Sequence, residues 1–109
     1  MARDAGLEEA IRDLLENREG LSEKRMFGGL AWLLDGHLLC AARADGALIR
    51  LGKGLDSWAL EVEGVAPMVM QGRPMSGWIW VEPESFSDEA FAARLIEGAL
   101  AFVHTLPMK

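Results

Sequence analysis

The sequence predicts an α+β domain. About five or six short strands form an antiparallel sheet, with an N-terminal helix, a short middle helix and a C-terminal helix packed on it. Three observations predict this. Apolar residues recur at helical spacing at both ends of the chain. Between the ends, the period shortens to that of strands. The breaks between those strands carry Asp-Gly and Gly-rich turn signals, which suit hairpins and so antiparallel pairing. The 109 residues bound the chain to one domain, residues 1–109.

Leu7, Ala10, Ile11, Leu14 and Leu15 fall on one helical stripe. Asp4 can cap the start, Glu8 and Glu9 suit the positive end, and Gly20 can end it. The first helix is therefore expected over about Asp4 to Glu19. From Glu23 to Leu51 the chain reads as strands. LAWLL, then Asp35-Gly36, then HLLCAA is a hairpin signal, because Asp and Gly tolerate the positive φ of a primed turn. Ala44-Asp45-Gly46 marks a second turn before ALIRL. Gly28 and Gly29 suggest a kink or bulge between Phe27 and Leu30. These four strands form a meander.

Pairing through Asp35-Gly36 sets Trp32 opposite Leu39 and Leu34 opposite His37 on one face. The other face has Leu33 opposite Leu38 and Ala31 opposite Cys40. Both faces are apolar, whereas a half-solvated sheet alternates apolar with polar. The hairpin is expected to be covered twice, by the domain's own helices and by a second copy of the chain. LDSWALEVEG reads as a short helix or turn ending at Gly64. A strand around Met68, a loop QGRPMSG and the strand WIWV closed by Pro83 follow. Alternation puts Trp78 and Trp80 on one face, Ile79 and Val81 on the other. The last helix is expected over about Asp88 to His104. Ser87 is its cap, Phe86 staples onto Phe91, and the buried stripe is Phe91, Leu95, Ile96, Ala99 and Val103. Pro107 stops it.

Composition narrows the function. Half the residues are hydrophobic, 50%, and mean hydropathy is +0.11, so a core can form without metals or disulfides. The formal net charge of −6 opposes non-specific attraction to nucleic acid, and direct nucleic-acid binding is not expected. Cys40 is the one cysteine, which fits a reducing compartment. Asp4, Glu8, Glu9, Asp13 and Glu16 do not suit a secretory signal, and no apolar run nears the roughly 18 residues of a membrane helix. A cytoplasmic chain without membrane contact is expected.

RMFGG (Arg25 to Gly29), the apolar hairpin with its Asp-Gly turn, LIRLG (Leu48 to Gly52), GRPMSGWIWV (Gly72 to Val81) and a terminal helix closing with Leu-Pro occur in order. This ordered set resembles the N-terminal domain of the TfoX/Sxy family. The resemblance covers nearly the whole chain. It implies a strongly bent antiparallel sheet packed by helices. Full-length members of that family act in the regulation of natural competence and carry a second, helical domain. The sequence ends at Lys109, so that second domain is expected to be absent. The resemblance supplies no catalytic residues. Its motif positions are Arg25, Met26, Phe27, Gly28, Gly29, Arg50, Gly72, Arg73, Met75, Gly77 and Trp78.

The residue types capable of chemistry are scattered. Cys40 sits mid-strand among Leu38, Leu39, Ala41 and Ala42, with His37 expected on the opposite face, so it reads as an inert core thiol. His37 reads as an exposed hairpin residue and His104 as a helix-end cation. Two distant histidines and one cysteine make no metal site, and no cofactor is expected. Gly52-Lys53-Gly54 lacks the spacing of a phosphate loop and reads as a turn. Lys24, Arg25, Arg43, Arg50, Lys53 and Arg73 gather in the sheet region. Arg25, Arg50 and Arg73 are the candidate anion- or partner-binding residues, because guanidiniums beside glycine turns can take a carboxylate or phosphate. The structural alternative is ion pairing with Glu61, Glu63, Glu82 or Glu84. Core packing is the default for most of the four tryptophans; Trp78 and Trp80 are the candidate interface residues, with one of the pair expected in a subunit contact.

Two function classes follow. The first is a non-enzymatic regulatory module working through protein–protein contact, with a homodimer expected. The second is a small-ligand or anion-binding domain using Arg25, Arg50 and Arg73.

Overall fold

The computed structural model describes residues 5–16, 18–26 and 28–107. The order is α1 (Ala5–Leu15), β1 (Leu21–Met26), β2 (Gly29–Leu34), β3 (His37–Arg43), β4 (Gly46–Arg50), α2 (Ser57–Leu60), β5 (Val65–Met70), β6 (Arg73–Val81), α3 (Pro83–Phe86) and α4 (Glu89–Val103). One six-stranded antiparallel sheet runs β1-β2-β3-β4-β6-β5. The fold is α+β, as the sequence predicts. Among the described residues no helix is long and apolar enough to cross a membrane.

The core lies between the sheet and the helices. α4 crosses β3 and β4, and α1 lies against α4. Leu7, Ile11 and Leu15 from α1 and Leu95, Ile96, Ala99 and Val103 from α4 meet Trp32, Leu34, Ile49, Ile79 and Val81 from the strands. Each Leu, Ile and Val among these contributes roughly 1.5–3 kcal/mol by leaving water. α1 ends at Leu15 rather than Glu19, where its apolar stripe runs out. The Asp4 cap lies outside the described residues. The cap of α4 is Asp88, not Ser87. The Asp88 carboxylate accepts the Phe91 N–H at 3.2 Å, while the Ser87 hydroxyl donates to the Glu84 carbonyl at 2.5 Å.

The Asp35-Gly36 turn takes φ of 51° and 86°, as a primed turn requires. Leu34 faces His37 and Leu33 faces Leu38, as expected, and then the register changes. Trp32 faces Cys40 instead of Leu39, and Ala31 faces Ala41 instead of Cys40. A bulge lets Leu39 and Cys40 together oppose Trp32. Leu39 and Cys40 are both fully buried in the helix-covered core. The bulge also brings Cys40 onto the face of Leu34 and His37, correcting the opposite-face expectation. His37 is half-buried rather than exposed, with its Nε2 bonded to the Pro107 carbonyl at 2.5 Å.

Two further expectations change. Gly28-Gly29 marks the reversal between β1 and β2, with Met26 paired to Gly29, rather than a bulge within one strand. QGRPMSG is not a loop. Gln71 and Gly72 form the turn, with φ of 53° and 77°, and β6 begins at Arg73. The β5–β6 register shifts between Pro67 and Val69, where Gly77 bends β6 inward. The Gly77 carbonyl accepts the Leu51 and Gly52 N–H groups at 2.8 and 3.0 Å. A Cβ at Gly77 would stand 2.5 Å from backbone atoms of Gly52 and Lys53, so only glycine allows this approach.

Candidate functional site

Among the described residues no helix packs over the centre of the second face of the sheet, and α4 reaches only its margin, where Phe102 meets Arg50. Its centre is a row across the strands: Lys24 faces Ala31, Ala31 faces Ala41, Ala41 faces Leu48, and Leu48 faces Trp80. Ala31, Ala41 and Leu48 are nonetheless buried, under half-buried Met26, Leu38, Met68, Trp78 and Trp80. The small alanines set the sheet surface low, and the larger side chains from neighbouring strands fold over it. The apolar second face of the hairpin is therefore closed by the chain's own β1, β5 and β6 side chains.

Two arginines stand on the two tryptophans. The Arg50 guanidinium lies 5.0 Å from the Trp78 ring centroid and 5.4 Å from that of Phe102. Its Nη1 also donates to the Leu38 carbonyl at 3.3 Å. The Arg43 guanidinium lies 5.8 Å from the Trp80 ring centroid and reaches Asp45 at 3.7 Å. Each stack contributes roughly 0.5–1 kcal/mol at an exposed site. A guanidinium held over a ring can still bind a carboxylate or phosphate through its remaining N–H groups. Trp80 owes its position to Gly46. A Cβ there would stand 2.9 Å from the indole ring and 2.5 Å from the Val81 carbonyl.

The face is cationic. Lys24, Arg43 and Arg50 belong to it by register. The one carboxylate within the strands, Glu23, shares the other face with Trp32. There Arg12 donates to Glu23 through Nε and Nη2 at 3.0–3.3 Å. These bonds hold the Glu23 carboxyl below the usual range despite partial burial. The neighbouring Trp32 indole N–H adds to this although it has no formal hydrogen-bond partner.

The candidates named from the sequence distribute as follows. Trp78 and Trp80 stand side by side on the helix-free face. Arg50 stands there with them. Arg25 shares the face of Leu30, on the helix side of edge strand β1. Arg73 follows the turn at the tip of the β5–β6 ribbon, paired with Met70. The register thus keeps Arg25 and Arg50 on opposite faces. Among the described residues none of the three pairs with Glu61, Glu63, Glu82 or Glu84; the ion pairs seen are Arg12–Glu23 and Arg43–Asp45. Arg43 is the residue that sequence reasoning passed over.

Elsewhere, Cys40 is fully buried and burial pushes its thiol far up, so no thiolate forms near neutral pH. His104 caps the C-terminal end of α4. Among the described residues no three His, Cys, Asp or Glu side chains gather as metal ligands would. A groove of about 680 Å³ between α2 and α4 is lined by Leu51, Leu55, Trp58 and Phe102 among others, and no titratable side chain lines it.

No curated protein and no solved structure matches the chain. The model of the TfoX N-terminal domain family matches residues 13–103, in agreement with the motif order and the helix-packed antiparallel sheet. The match spans most of the chain, and the protein belongs to the TfoX N-terminal domain family.

Proposed function

We propose that the chain is a non-enzymatic regulatory module that works by protein–protein contact, and that it docks its partner on the helix-free face of the sheet. The observation that carries this reading is the pairing of Arg43 with Trp80 and Arg50 with Trp78 on an open face that also presents Met26, Leu38 and Met68. Tryptophan, arginine and methionine are the side chains enriched where proteins meet. Work in the cytoplasm, where a lone cysteine stays reduced, is consistent with this reading.

The test compares three immobilised proteins in an extract of the source cell. They are the natural chain, an Arg43→Glu variant on the sheet face, and a Glu97→Lys variant on the exposed side of α4. Polypeptides retained by the natural chain and Glu97→Lys, and lost from Arg43→Glu, are the expected result. Each is then purified and its binding measured directly. Retention that Arg43→Glu leaves unchanged would refute docking at this face.

A further inference from the structure

The spacing of the two arginine–tryptophan pairs specifies what lies on the face. Arg43 stands opposite Gly46 on β4, and Arg50 closes the same strand four residues later. At roughly 3.3 Å per residue the backbone positions of the two arginines are offset by roughly 13 Å along the strands. That distance is too great for one phosphate or carboxylate to touch both forks. It matches an extended peptide whose acidic side chains are four residues apart. In such a peptide alternate side chains point the same way, so the residue midway between the acids also faces the sheet. It would meet Leu38, Leu48 and the edges of Trp78 and Trp80, which separate the two guanidiniums.

We infer that the partner offers an extended acidic segment, with a carboxylate at each end of the pattern acid–x–apolar–x–acid, the two acids engaging Arg43 and Arg50. This rests on the docking reading above and names the chemistry of its partner. Charge decides among the occupants. Lys24, Arg43 and Arg50 lie on this face by register, against one nearby carboxylate, Asp45 of the β3–β4 turn, which reaches Arg43 at 3.7 Å. A second copy meeting face to face would set cation against cation. A single-stranded nucleic acid would need bare ring faces for base stacking. Here the tryptophan rings are covered by the guanidiniums on one side and packed toward the alanine row on the other. A net charge of −6 also repels a long polyanion more than a peptide with two acids.

The test selects a random peptide library on the immobilised full chain. The selected peptides are then measured by titration, with the indole N–H resonances of Trp78 and Trp80 followed by NMR. The expected result is enrichment of peptides with Asp or Glu four residues apart and an apolar residue midway. Their affinity should fall about tenfold or more in Arg43→Glu and weaken in added salt. Arg50→Lys keeps the charge but loses the fork and the stack, and should weaken them as well. Arg43 is exposed and outside the core, so its replacement leaves folding intact as a control on Arg50.

Uncharged or basic peptides that still shift both indoles would overturn the acidic segment while leaving docking at this face in place. Peptides that leave both indoles unmoved would overturn both claims. No enrichment would overturn the acidic segment. So would salt-sensitive self-association abolished by Arg43→Glu, which would make a second copy the occupant. Binding of oligothymidylate or polyuridylate in place of acidic peptides would put a nucleic acid there instead.

Discussion

Trp80 lies across residue 46 because that residue has no side chain. Gly46 adopts φ of 151°, and a Cβ there would meet the Trp80 ring at 2.9 Å and the Val81 carbonyl at 2.5 Å. Gly46→Ala therefore adds backbone strain to a clash with main chain that cannot move cheaply. A loss of more than about 2 kcal/mol is expected, read by urea unfolding. Trp80 should also shift, changing the near-ultraviolet circular dichroism. An unchanged midpoint would mean that β4 and β6 yield at this contact. At this scale the tryptophans of the site were legible, because strict alternation in WIWV separates Trp78 and Trp80 from Ile79 and Val81. Arg43 was not. Its face depends on the bulge opposite Trp32, and in Leu38-Leu39-Cys40 every residue is apolar. A run without polar residues gives alternation nothing to fix the register. One extra residue there moves Arg43 from the helix side of the sheet to the open side.

The same limit operates on whole elements. Ser87 and Asp88 are both good capping types, so local preference alone does not choose between them. The structure chooses Asp88, because the Ser87 hydroxyl is already committed to the Glu84 carbonyl at the end of α3. Asp88→Ala should cost about 1 kcal/mol, and Ser87→Ala less than half of that, in thermal or urea unfolding. Equal losses would return the cap to Ser87. α4 itself was legible from its stripe and from Pro107, which no helix interior accepts. β6 was half legible. Gly, Pro, Ser and Gly in GRPMSG have the composition of a loop. All but Gly72, which stays in the turn, lie in a strand because Met70 pairs with Arg73 and Val69 with Pro74 across the ribbon, and because the Gly77 carbonyl ties the bend to Leu51 and Gly52. Those partners are remote in sequence, so composition cannot report them.

Over the whole molecule, charge separates by layer. α1 and α4 carry Glu8, Glu9, Asp13, Glu89 and Glu97 against Arg12 and Arg94, while the strands of the open face carry Lys24, Arg43 and Arg50. The net charge of −6 averages over this division, which is why composition did not reveal a cationic face. The need to cover both sides of the hairpin was legible. What was not legible is that the second cover comes from within the chain. Trp78, Trp80, Met26, Met68 and Leu38 close over Ala31, Ala41 and Leu48, which are exposed by 7% or less without any second chain. The monomer thus buries its own core, and a second copy would add a docked contact rather than complete the fold. An obligate dimer gains stability with concentration, because association favours the folded state by mass action. The melting temperature here should stay constant across a roughly hundredfold range of protein concentration. A steady rise over that range would show that Trp78 and Trp80 need another chain over them to remain packed.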